Sequence, residues 1–240
     1  MSNSHHTVRP QPPLLPRSLP RHMVPRRLAA ALAAGSLLSL AMASVASPTL
    51  PSGLQVVQGQ ASLSQNGNQL TITNSNKAIL NWNSFSIGAQ NAVRFEQPTA
   101  ASQVLNRVVG SDPSAILGSL SSNGRVWLLN PNGVLFGQGA RIDVAGLVSS
   151  TLRLNDQDWL AGRSLFTSTA GAEAGAIVNQ GEIRTPLGGQ VMLLGGSVRN
   201  EGLIDAPGGQ LVLAAGASIE LIDTASPRLA VRVTAPQGEV

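Results

Sequence analysis

Cysteine and tyrosine are absent from this 240-residue chain, and its three histidines, His5, His6 and His22, all sit near the N-terminus. Each absence removes a class of chemistry. Without thiols there is no disulfide framework, no cysteine nucleophile and no thiolate metal ligand. Beyond residue 22 no side chain titrates near neutrality as a general base does, so neither a Ser-His-Asp triad nor a histidine zinc site can be assembled there. The sequence therefore nominates no catalytic, cofactor-binding or metal-ligating residue. Helical periodicity is almost missing too, and stability has to come from burial and backbone pairing.

Charge is sparse, at 12% of residues, and unevenly placed. Residues 1–27 hold Arg9, Arg17, Arg21, Arg26 and Arg27, six prolines and no acid. An apolar run follows at 28–43, and then small residues where cleavage after Ala43 or Ala46 would suit a signal peptidase. The run holds about 16 residues, interrupted by Gly35, Ser36 and Ser39, against the roughly 20 that span a bilayer. A cleaved export signal over 1–46 is therefore preferred to a membrane anchor. Its basic stretch is long, either as an extended signal or because translation starts at Met23. Of 16 basic residues five precede Ala46, which leaves 11 against 12 acids and a net charge near −1. The basic pI belongs to the leader, and nucleic acid is not an expected partner.

What remains is a succession of short apolar runs separated by turn residues. Strand candidates fall at 69–73, 79–82, 92–95, 125–129, 134–136, 142–144 and 147–154. Further ones fall at 191–194, 211–214, 219–222 and 229–233. Asn179, Gly181, Ile183 and Pro186 recur 21 residues on as Asn200, Gly202, Ile204 and Pro207, and Gly188-Gly189-Gln190 recurs 20 on. That period fits three strands and three corners, one coil of a parallel β-helix. An antiparallel sandwich would also show short strands, but not this self-match. The reading is an all-β, single-stranded parallel β-helix of about 20–21 residues per coil.

Two segments break the pattern and are expected as excursions. Ser111-Asp112-Pro113 reads as a helix start, with Ile116, Leu117 and Leu120 as one apolar face, and 156–160 reads as a helical turn ended by Gly162. Residues 54–73, with Asn66-Gly67 as a hairpin turn, form the expected N-terminal β cap. No C-terminal cap is legible, which suggests a fragment of a longer protein or pairing with a partner.

Six motifs stand in order: NWNSFSIG at 81–88, VRFEQP at 93–98, LNRV at 105–108, NGRV at 123–126, NPNGVLFG at 130–137 and LVSSTL at 147–152. Their succession resembles the N-terminal secretion domain of two-partner secretion exoproteins. That Gram-negative family includes filamentous haemagglutinin and the high-molecular-weight adhesins. The resemblance covers 47–240 and implies a right-handed parallel β-helix that serves as a secretion module rather than an enzyme. It implies passage through the Sec machinery into the periplasm. There, polypeptide-transport-associated (POTRA) domains of an outer-membrane β-barrel transporter would recognise the domain and export the chain to the cell surface or medium. Filamentous haemagglutinin also carries an upstream Asn-Pro-Asn-Leu element. It is absent here, and 97–109 occupies that region as in the adhesin branch.

The resemblance makes Asn130, Pro131, Asn132 and Gly133 the candidate secretion motif. Trp82, Phe85, Phe95, Asn106 and Arg107 form a candidate recognition or cap region. Each has a structural reading beside the functional one. Pro131 suits a turn and Asn132-Gly133 the backbone angles after it. The aromatics, with Trp127 and Phe136, suit a core, Asn106, Asn179 and Asn200 suit buried ladders, and Asp143, Asp205 and Asp223 suit solvated corners. The competing functions are a β-helical polysaccharide lyase or hydrolase, which needs clustered carboxylates where only Asp156 and Asp158 lie close, and a directly adhesive domain meeting a host-cell surface.

Overall fold

Alternation of apolar and polar residues winds the chain into a parallel β-solenoid of about six turns. The computed structural model describes residues 50–169, 174–222 and 230–234. The leader at 1–46, Asp223 and residues 235–240 lie outside the described residues.

Each coil has three walls. The first, the open wall, stacks Gln69–Asn74, Ala92–Glu96, residues 119–122, residues 141–144, Glu182–Arg184 and Leu203–Asp205, all parallel. Its strands alternate, as one-sided burial requires. Val93, Leu120, Ile142 and Ile183 occupy equivalent positions inside the coil, while Arg94, Asp143 and Arg184 face out. Asp143 and Asp205 thus lie on outward strand positions, not corners.

The second, the covered wall, stacks Ala78–Trp82, Gln103–Val108, residues 125–129, residues 146–150, Gln190–Gly195 and Gln210–Ala215. Leu80, Leu128 and Leu193 point into the coil. Ile79, Leu105, Trp127, Val148 and Met192 point outward, yet they are buried in a second core. That core is closed by a separate antiparallel sheet of Arg153–Leu154, Ser164–Thr167, Ser218–Ile222 and Ala230–Thr234, together with the short helix Asp156–Leu160. Asn155 caps the helix by accepting from the Gln157 and Asp158 amides.

A third wall stacks Ser114–Ile116, Val134–Phe136, Ala176–Asn179 and Ser197–Asn200. Asn179 donates to Asn200 Oδ1 at 2.7 Å across the 21-residue repeat. At the N-terminal end Gln55–Gln58 pairs antiparallel with the first covered rung, and Ala61–Asn66 with the first open rung. Gly67 turns this hairpin with φ +55, a left-handed angle glycine adopts freely.

Three expectations change. Residues 111–120 are not a helix: Ile116 and Leu120 are strand residues buried in the coil, where ladder pairing and stacking satisfy both backbone and side chain. The run at 147–154 is two strands, because the chain leaves the coil after Ser150. The strands Ser218–Ile222 and Ala230–Thr234 do not continue the solenoid; they fold back antiparallel over its covered wall.

Candidate functional site

Asn130 follows a covered-wall strand and Val134 opens the next third-wall strand, so four residues must turn the chain from one wall to another. The Gly133 amide donates to the Asn130 carbonyl at 3.1 Å and closes the turn. Pro131 pre-sets the φ its position needs. Asn132 keeps an ordinary φ, since Lys77 is the one non-glycine residue with positive φ among the described residues; only Gly133, at φ +124, uses the special region.

Asn130 is wholly buried and its amide is fully engaged. Its Nδ2 donates to the Asp112 carbonyl at 3.0 Å and to Ser114 Oγ at 2.9 Å. Its Oδ1 accepts from the Asn132 amide at 3.0 Å and from Asn132 Nδ2 at 3.2 Å. The corner is also bound to the coils on both sides. Asn132 Nδ2 donates to the Gly110 carbonyl at 2.9 Å, Ser114 N to the Gly133 carbonyl at 3.0 Å, and Gly175 N to the Pro131 carbonyl at 2.9 Å. Gly175 is required by this close approach: a Cβ there would sit 2.5 Å from the Asn132 carbonyl carbon and the Gly133 nitrogen. The side chains of Asn130 and Asn132 thus hold a shape that backbone bonds alone would leave incomplete.

Pro131 and Asn132 form part of the rim of a cleft of about 790 Å³, with Arg107 and Val109 on one side and Arg153, Asp156 and Gln157 on the other. Arg107 crosses from the second covered rung to the excursion. One of its guanidinium nitrogens donates to the Leu154 carbonyl at 3.0 Å and to Asp156 in a short ion pair. Lys77 makes a parallel attachment, donating to the Leu160 carbonyl at 2.7 Å at the helix C-terminus.

The other candidates lie elsewhere and inside. Trp82, Phe85 and Phe95 are at most 1% exposed and pack ring on ring beneath the cap, with centroids 5.5 Å and 6.4 Å apart. Asn106, also fully buried, accepts the Trp82 indole N–H at 2.9 Å and donates to the Trp127 carbonyl at 3.2 Å. Its partners are an indole and a backbone group, so it is not a rung of an asparagine ladder. The structure therefore brings Arg107 to the Asn130–Gly133 corner and leaves the other four in the core. The corner's supports Gly110, Asp112, Ser114 and Gly175 went unnoticed in the sequence. For Gly175 a signal existed, since the 21-residue repeat extends back to pair it with Gly196.

With this geometry in place, the family model of the TPS secretion domain matches residues 47–240. The chain is similar to a heme/hemopexin-binding protein of Haemophilus influenzae, 39% identical over 173 residues, which are 70% of this chain and 19% of that protein. A second such protein is 42% identical over 106 residues, 43% of this chain and 11% of its own length. The chain thus spans under a fifth of these relatives. Among solved structures, the HMW1 secretion domain from Haemophilus influenzae superposes with a TM-score of 0.74 at 38% identity, covering 78% of this chain and 50% of that one. The filamentous hemagglutinin secretion domain matches with a TM-score of 0.52 at 18% identity over 78% and 71% of the two chains, a likeness of fold.

Proposed function

Because the chain belongs to the TPS secretion domain family and is the secretion module of a two-partner secretion exoprotein, we propose that its corner at Asn130–Gly133 and the adjoining cleft are what the cognate outer-membrane transporter recognises. Domains of this family pair with such transporters, and their exoproteins reach the cell surface or medium. In this reading the leader at 1–46 directs the chain through the Sec machinery and is removed. POTRA domains of the transporter then engage the domain in the periplasm. The absence of cysteine suits that route, since a periplasmic disulfide would obstruct threading through a barrel.

The observation that carries the assignment to the corner is the division of labour among its residues. Asn130 is buried with every amide position used, so it acts by fixing backbone shape; Pro131, Asn132 and Arg107 present that shape at an accessible rim. Trp82, Phe85, Phe95 and Asn106 contribute by keeping the first coils rigid. No catalytic step is assigned to the domain.

Export assayed with and without the cognate transporter tests the reading. The chain is expected to accumulate in the periplasm when the transporter is deleted, and undiminished export would refute the function. Asn132→Ala and Arg107→Ala are expected to lower export while the purified domains keep a folded β spectrum. Normal export of both would move recognition away from this corner without touching the family assignment.

A further inference from the structure

The chain contains three Asn-Gly pairs, Asn66-Gly67, Asn123-Gly124 and Asn132-Gly133. In such a pair the glycine amide nitrogen can attack the preceding side-chain carbonyl carbon, because no side chain on the second residue obstructs the approach. The structure treats the three pairs very differently. Asn132 is held through Nδ2 by the Gly110 carbonyl and Asn130 Oδ1, and the Gly133 amide is committed to the Asn130 carbonyl. Asn123 accepts from the Gln97 amide at 2.8 Å and donates to the Gln97 carbonyl at 2.7 Å, while the Gly124 amide donates to Ser122 Oγ at 3.0 Å. In both, the electrophilic side chain and the attacking nitrogen are tied to other groups.

Asn66 is not restrained in this way. It is exposed at the tip of the cap hairpin and none of its side-chain atoms makes a hydrogen bond. Gly67 has open space around it, and the side-chain bonds at the tip involve neither the Asn66 side chain nor the Gly67 nitrogen: Gln65 Nε2 donates to the Gly67 carbonyl at 3.2 Å, Asn68 Nδ2 to the Gln90 carbonyl at 3.2 Å and Asn91 Nδ2 to the Asn68 carbonyl at 3.4 Å.

We infer that Asn66 is a modification site of the folded protein, whose co-reactant is water. The Gly67 nitrogen loses its proton and bonds to the Asn66 side-chain carbon. The bond to the side-chain –NH2 group breaks and ammonia leaves. Water then opens the succinimide at either carbonyl, giving an aspartyl or an isoaspartyl residue at position 66, with no change of oxidation state. The product places a negative charge on the cap. In the isoaspartyl form it also inserts a methylene into the backbone at the last ladder pair, Asn66 with Gln69. The solenoid beneath pairs through Gln69–Asn74 to the next coil and is not part of the altered loop.

The test is ageing of the full chain at mildly alkaline pH, followed by peptide mass mapping and enzymatic methylation of isoaspartyl carboxyls. Position 66 is expected to exchange –NH2 for –OH at least about tenfold faster than positions 123 and 132, which corresponds to about 1.4 kcal/mol in barrier. In denaturant the three rates should converge, and Asn66→Gln should abolish the early methylation. Equal rates in the folded chain would overturn the inference, as would reaction first at position 123 or 132.

Discussion

Two long strands each belong to both walls, and they show what distinguishes the walls. In Arg141–Ser150 the first half alternates exposed and buried residues, then from Gly146 onward every residue is buried. In Ser119–Leu129 the first half carries Leu120 inward between half-exposed serines, whereas the last four residues are all buried. One side of the bend faces solvent; the other lies between the coil interior and the outer sheet. The same backbone ladder thus supports two energetic regimes. On the open wall a residue gains by burial on one face, and the second residue of each pair is nearly free to vary. On the covered wall the rungs before the last are buried on both faces, and continuous apolar runs such as VWLL at 126–129 and VMLL at 191–194 are the result, whereas the last rung, Gln210–Ala215, is part-exposed.

The sharpest way to break the comparison is Trp127→Ala. Trp127 stacks against Phe166 at 6.1 Å and meets Trp159 edge-on at 5.9 Å, joining solenoid to excursion. Its truncation should cost about 3–5 kcal/mol in denaturant unfolding, against a change within about 0.5 kcal/mol for Asp143→Ala on the open wall. If the two variants unfold at the same midpoint, the outer sheet adds nothing to stability. Asn130→Ala comes next: it takes the amide partner from the buried Ser114 hydroxyl and from the Asp112 carbonyl and should cost about 2–3 kcal/mol. A loss under about 0.5 kcal/mol would show that backbone bonds hold the corner without the Asn130 amide.

Arg107→Ala probes the seam between the two regimes. The pair with Asp156 is partly solvated, so a loss of about 1 kcal/mol that shrinks at high salt is expected. A salt-independent loss would assign the effect to packing. The smallest effect separates two polar residues inside the covered wall. Asn106 and Ser149 both point among leucines, but Asn106 has its partners while the Ser149 hydroxyl has none. Ser149→Ala is therefore expected to be neutral or stabilising by up to about 0.5 kcal/mol, where Asn106→Ala destabilises. Thermal melting of the two variants side by side decides this.

The coil was legible because its signal is local and repeated. The 21-residue recurrence from Asn179 to Asn200, the glycine corners and the alternation of each open-wall strand all follow from short-range rules of turn and pleat. The candidate site was legible as a motif but not as a place. Nothing near Asn130 announces that Asp112 and Ser114 will receive its amide, or that Gly175, on the far side of an excursion, will press against the turn. The helix expected at 111–120 failed for the same reason. Its 3–4-residue apolar spacing is local, whereas the stacking of Ile116 between Ile87 and Phe136 comes from neighbouring coils.

By itself, then, the order of residues determined a coil of short strands with tight corners and the ordered motifs of its family, because these depend on composition and on spacings of a few residues. Tertiary structure alone decided that 153–154 and 164–167 would meet 218–222 and 230–234 as an outer sheet, that most of the covered wall would be buried on both faces, and that Arg107 would stand beside the corner. Those outcomes rest on contacts between positions some 50 residues apart, such as Phe166 with Ile219 and Arg107 with Asp156. Their partners are chosen by the shape of the surface left uncovered, which no local pattern records.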